Sequence, residues 1–183
     1  RQRAIELSKK IYKVLDIRDL GRIDFRIGSN GEVYFIEINA LPSLESGASI
    51  YLSSSLIGLD TQAKVLGAIV NSAAERYGIA VSTLRRRPRQ QKVRVGLIYN
   101  QKHLAVPTNG NSDNEAEYDN QETISAIKRA IESYGHDVVA LEATPELSSI
   151  LPSSGIDVAF NMAKGIRGRT RESQVPALLE LLQ

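Results

Sequence analysis

Leu20-Gly-Arg-Ile-Asp-Phe-Arg-Ile-Gly-Ser-Asn-Gly-Glu-Val-Tyr-Phe-Ile-Glu-Ile-Asn-Ala40 reads as two strands joined by a tight turn. Asn30-Gly31 is the turn signal, because a two-residue type I′ turn needs positive φ at both central positions and Asn-Gly tolerates it best. With those two residues as the turn, antiparallel partners have numbers that sum to 61, so Asp24 faces Glu37 and Arg22 faces Asn39. Side chains alternate along a strand, which sends Ile23, Phe25, Ile27, Tyr34, Ile36 and Ile38 to the opposite face as an expected core. The remaining face gathers one arginine, two carboxylates and an asparagine.

Like charges directly across a strand pair destabilise it unless something neutralises them. A divalent cation would do so. The oxygen donors of Asp24, Glu37 and Asn39 suit a hard ion such as magnesium, which binds through one or two carboxylates plus substrate phosphates. Arg22 adds a guanidinium fork that matches phosphate oxygens. The plainer alternative is a solvated outer face held by a cross-strand ion pair.

Gly21-Arg-Ile-Asp-Phe25, Phe35-Ile-Glu-Ile-Asn39 and Leu41-Pro42 together resemble the C-terminal catalytic segment of ATP-grasp ligases, most closely the D-alanine:D-alanine ligases, over about residues 1 to 78. The resemblance implies that Asp24, Glu37 and Asn39 ligate the two magnesium ions bridging the ATP phosphates, with manganese as the substitute ion. It implies that Arg22 stabilises an acyl phosphate and the tetrahedral species that follows. In the family Pro-Gly and then a serine-leucine pair come next, the pair receiving the carboxylate of the second substrate. Here Pro42 is followed by Ser43, and Ser49-Ile50 fits the pair with a one-residue shift, so the identity of the substrates stays open.

The 183 residues are 42% hydrophobic, enough for one or two soluble domains. Without a cysteine the chain has neither a disulfide scaffold nor a thiolate metal site. No secretory or bilayer-spanning stretch occurs, so a cytoplasmic location is expected. The first residue is Arg1 and the last, Gln183, falls within the apolar run that starts at Val175, so both ends read as cut from something longer. Residues 1–92 carry 15 Lys and Arg against 9 Asp and Glu, whereas residues 93–183 carry 8 against 12. The basic excess sits in residues 80–92, which lack an apolar period and read as an exposed linker. Arg85-Arg-Arg-Pro-Arg89 has no aromatic interleaving, so a solvated tether is the better account than nucleic-acid binding.

Before the linker, apolar positions 5, 7, 11, 12, 14 and 15 predict a first helix, and a longer one opens at Asp60 or Thr61, carries Val65, Leu66, Ile69, Val70, Ala73, Ala74 and Tyr77, and ends on Gly78. After it, strands are predicted at 93–99, 138–142 and 157–161. A capping box at Asp119-Asn-Gln-Glu122 opens the helix between the first two, and Thr144-Pro145 opens a short one. Alternating strand and helix implies a parallel sheet whose ligands sit at the carboxyl ends of the strands, in loops 100–118 and 161–173. The fold class is therefore α/β: an antiparallel hairpin segment at 1–79, the linker at 80–92 and a Rossmann-like parallel sheet at 93–183.

Val95-Gly-Leu-Ile-Tyr99, the acidic loop before Tyr118, and the run from Phe160 to Ala177 look like the N-terminal, pre-ATP-grasp domain of the same ligases. That likeness implies contact between Glu115 or Glu117 and the ammonium of the first substrate; the plainer reading leaves these residues solvated. Lys164, Arg167, Arg169 and Arg171, with Gly165 and Gly168, form either an anion-friendly loop or a solvated one. Family members place the N-terminal domain first, so a C-terminal segment followed by an N-terminal one implies a tandem fusion, with circular permutation as the rival. The central domain is missing from these residues, and the fragment is expected to be inactive alone.

The activity implied by the resemblance is ATP-dependent ligation of two small amino acids through an acyl phosphate, for peptidoglycan and cell-wall precursors. The partners implied are those substrates, the rest of the ligase modules and a second copy in a homodimer; neither nucleic acid nor membrane is expected. The alternatives are a ligase for other amino acids and a diverged, non-catalytic ATP-grasp binding module.

Overall fold

In the computed structural model, which describes residues 2–79, 92–102 and 118–182, the chain divides into two compact units, Arg1–Ser43 and Leu44–Gln183.

The first unit begins with helix α1 (Gln2–Val14). Its end is closed by Asp16 in the left-handed region (φ 50°), with Ile17 N donating to Tyr12 O at 3.0 Å and Asp16 N to Lys13 O at 3.4 Å. This is a Schellman closure with aspartate in the usual glycine position. Arg18 holds Asp16 through a 2.7 Å ion pair.

Strands β1 (Arg22–Ile27) and β2 (Val33–Asn39) then form the expected antiparallel hairpin, with a different turn. Gly28 N donates to Glu32 O and Gly31 N to Gly28 O, both at 2.9 Å, so the loop holds three residues, Ser29, Asn30 and Gly31. Only Gly31 is left-handed within it (φ 78°), and Asn30 Oδ1 accepts from Glu32 N at 3.1 Å. That is a three-residue loop ending on a left-handed glycine rather than the type I′ turn. Near the turn the partners are Ile27 with Val33, Arg26 with Tyr34 and Phe25 with Phe35; a bulge at Ile36 then restores Asp24 to Glu37, Ile23 to Ile38 and Arg22 to Asn39.

The bulge changes the apolar face. Phe35, in place of the expected Ile36, stands across from Phe25, their rings edge-to-face at 6.4 Å, while Tyr34 joins Arg26 on the polar side. The expected core is also absent from this unit. None of its described residues is buried, and Ile27, Phe35 and Ile36 are all open to solvent. A period-two pattern fixes which face is apolar, and burial of that face requires another surface.

In the second unit, helices α2 (Ser49–Ser55) and α3 (Gln62–Arg76) precede a three-stranded parallel sheet of β3 (Arg94–Tyr99), β4 (Asp137–Glu142) and β5 (Val158–Asn161), ordered β4-β3-β5. Helix α4 (Gln121–Ser133) links β3 to β4, the short α5 (Leu147–Ile150) lies between β4 and β5, and α6 (Gln174–Leu181) follows. Central strand β3 buries Val95, Gly96, Leu97 and Ile98 in succession, as a strand covered on both faces must. Ile98, Leu141, Ala143, Leu147, Leu151, Ala163 and Val175 form one continuous cluster.

Helix α3 starts on Thr61, whose Oγ1 accepts from Lys64 N at 3.2 Å, and ends on Gly78 (φ 71°), as the sequence predicts. Its stripe of Val65, Leu66, Val70, Ala73 and Ala74 is buried, and it packs on α4 and β5. The division between units thus falls at Ser43, while α3, which precedes residues 80–92 in sequence, shares a core with elements that follow them. Of the run 80–92 itself, all but Lys92 lies outside the described residues. Among the described residues no helix is long and apolar enough to cross a membrane.

Candidate functional site

Arg22 and Asp24 are two apart on β1 and so project from the same face of the pleat. Their side chains meet in a bidentate contact, Nε to Oδ1 at 3.2 Å and Nη2 to Oδ2 at 3.1 Å. Both remain roughly half open to solvent, so the ion pair alone contributes at most about 1 kcal/mol. Glu37 is exposed directly across from Asp24, and its carboxylate makes no hydrogen bond or ion pair among the described residues. Asn39 lies across from Arg22, and its Oδ1 accepts from Leu41 N at 2.9 Å, which fixes the side chain and turns the chain out of the strand toward Leu41-Pro42.

The four residues therefore share one face in the order the sequence predicts. One carboxylate is neutralised by a guanidinium and the other is not. Asp24, Glu37 and Asn39 offer hard oxygen donors of the kind magnesium prefers, and the second lone pair of the Asn39 carbonyl oxygen stays available. They are too few for a self-sufficient cage, and no group of three or more His, Cys, Asp or Glu that could hold a metal occurs among the described residues. An ion here would need oxygens from a substrate such as a phosphate.

Ser49 is the first residue of α2, exposed, in the second unit. Glu115 and Glu117 lie outside the described residues.

At the carboxyl end of the parallel sheet, buried Asn100 ties three segments together. Its Nδ2 donates to Ala143 O at 3.2 Å beyond β4, and its Oδ1 accepts from Lys164 N at 2.8 Å beyond β5. Asp119 is bridged to Gln101 beside it, with Asp119 N donating to Asn100 O at 3.1 Å and Lys102 N to Asp119 O at 2.9 Å. Burial, reinforced by the nearby Glu45 carboxylate and opposed by Lys164, pushes the Asp119 carboxyl up to about 6. The sequence pattern gave Asp119 a different role. Asn120 is the N-cap of α4, accepting from Thr123 N at 2.8 Å, which leaves the Asp119 carboxyl available at the sheet end. Tyr118 Oη donates to Gly165 O at 3.2 Å, and Gln174 clasps the basic loop, accepting from Ile166 N at 2.9 Å and donating to Arg167 O at 2.7 Å.

Residues 1–66 match the family described as D-ala D-ala ligase C-terminus, so the hairpin and its polar face lie within a segment related to the C-terminal part of these ligases. Among named proteins, a D-alanine--D-alanine ligase of Aquifex aeolicus is 34% identical over 55 residues, which is 30% of this chain and 19% of the relative. A D-alanine--D-alanine ligase B of Chromobacterium violaceum is 35% identical over 57 residues, 31% of this chain and 19% of the relative. The matched stretch thus spans about a fifth of the length of these curated relatives. No solved structure matches the chain.

Proposed function

We propose that the chain is part of an ATP-dependent carboxylate–amine ligase of the ATP-grasp type that joins two amino acids, as the D-alanine–D-alanine ligases it resembles are named for doing. The observation that carries this reading is the direct opposition of Asp24 and Glu37, with Arg22 on the same face, inside the matched segment. On this reading residues 1–79 are the C-terminal part of a catalytic domain, 80–92 a basic linker and 93–183 the start of a second, pre-ATP-grasp module.

The reaction has two steps. A substrate carboxylate takes the terminal phosphoryl group of ATP, releasing ADP; an amine then attacks the acyl carbon, the bond to phosphate breaks, and an amide, phosphate and a proton result. Magnesium, when bound, supplies neutralisation of the crowded phosphate charge. Asp24, Glu37 and Asn39 would hold the ion. Arg22, already aimed along that face by Asp24, would bind phosphate oxygens and the oxyanion of the tetrahedral species, where charge develops and a preorganised donor has its largest effect. Ser49 would donate to a substrate carboxylate, and Glu115 or Glu117 would receive a substrate ammonium. The reading places the protein in the cytoplasm, where cell-wall precursors would be its products.

The test uses a complete module with its central domain. Glu37→Gln keeps shape and removes a ligand charge, so magnesium-dependent ADP release in the presence of amino acids should fall by about a hundredfold or more. Undiminished release in that variant overturns the assignment.

A further inference from the structure

Tyr134, the C-cap residue of α4, lies against Gly67 in the middle of α3, and a Cβ on Gly67 would run into its ring. Around this contact Leu66 and Ala74 of α3, and Ile127 and Ile131 of α4, are fully buried, with Val70 nearly so. An exposed helix has no need of a glycine at its centre, where glycine costs helix stability relative to alanine. Here the missing side chain makes the socket for a tyrosine.

We propose that the α4 and β5 face carrying Tyr134 is a docking surface for an amphipathic helix with glycine at the facing position. In this chain α3 fills it, so the two ligase-derived stretches hold together through this seam independently of residues 80–92. The name given to each stretch rests on the proposed function; the docking itself does not. The seam joins a C-terminal ligase segment to the sheet that follows it in the chain. Successive modules are thereby interlocked, instead of strung as separate beads.

The test uses the full chain with Arg85–Arg89 replaced by the recognition site of a specific protease. After complete cleavage, confirmed under denaturing conditions, the two fragments should elute as one species in size exclusion at micromolar concentration; two separate peaks overturn the proposal. Gly67→Ala, which favours the isolated helix but collides with Tyr134, should weaken association of the cleaved pair by about tenfold or more. Gly67→Ala combined with Tyr134→Ala should recover part of that loss, because the ring that causes the collision is gone. Unchanged association in Gly67→Ala, or a double variant no better than the single one, removes the socket as the basis of docking. The readout is association rather than catalysis, so loss of ligase activity in other variants does not bear on it.

Discussion

Asp24 stands directly across the hairpin from Glu37, yet its carboxylate is gripped at both oxygens by Arg22, two residues back on its own strand. The two carboxylates of this face are therefore not equivalent. Asp24 carries its counter-charge with it, and Glu37 presents an uncompensated one.

This asymmetry separates stability from activity. Asp24→Asn removes a half-exposed ion pair and a cross-strand repulsion together, so the unfolding free energy of the chain should change by less than about 1 kcal/mol. ADP release by the complete module should nonetheless collapse. Chemical denaturation and a coupled ADP assay check the two halves, and a large stability loss would assign Asp24 a structural role.

Arg22→Lys keeps the charge and loses the fork that spans both Asp24 oxygens. The complete module should lose about tenfold to a hundredfold in kcat, with a smaller change in KM for the amino acids, as expected when an interaction made in the transition state is removed. Steady-state kinetics decide it; a pure KM effect would point to ground-state binding instead.

Asn100 is a structural staple. Truncation in Asn100→Ala leaves Ala143 O and Lys164 N without their side-chain partner at the sheet end, and should cost about 2–3 kcal/mol in urea denaturation.

Asp119 and His136 should tilt the pH–stability curve in opposite directions. The Asp119 carboxyl is raised from 3.8 to about 6, so the folded state holds its proton more tightly. Its ionisation then lowers stability as pH rises from about 4 through 6. Asp119→Asn should flatten that slope and add about 1 kcal/mol at neutral pH, a figure discounted because the carboxyl is only part-buried.

His136 is buried with neither ring nitrogen hydrogen-bonded, beside the Tyr134 ring at 6.0 Å. Burial lowers its basicity, opposed by the Asp137 carboxylate, which Lys92 holds at 3.2 Å. The unfolded chain takes up the proton first, so this contribution is present above about 6.5 and lost as pH falls below it. His136→Leu should abolish that acid-side loss. Denaturation midpoints measured from pH 4 to 8 for the wild type and both variants separate the two effects.

Much of the fold could be read from local pattern. The α3 N-cap and its closing Gly78, the alternation of strand and helix after residue 92, and the pairing of Asp24 with Glu37 each follow from short-range chemistry. The last was reached through two offsetting departures, a loop one residue longer than the Asn-Gly rule gives and a bulge at Ile36 that restores the count. What pattern could not give was long-range. Periodicity marked the stripe on α3 without naming α4 as its partner, and marked an apolar hairpin face that no described residue of its unit buries. The spacing to Glu122 marked Asp119 as the cap of α4, whereas Asn120 takes that place by accepting from Thr123 N and Asp119 is drawn into the bridge with Gln101.

The bulge at Ile36 also uncouples the tip of the hairpin from its base. Removing Ile36 leaves every remaining residue opposite its present mate, Phe25 with Phe35 on one side and Asp24 with Glu37 on the other. A spare residue of this kind works as an adjustable joint. The loop at 29–31 is consequently a natural graft point, where a turn of another length or a short recognition peptide can be installed and its offset absorbed at Ile36, just before Glu37, with the polar face left in register.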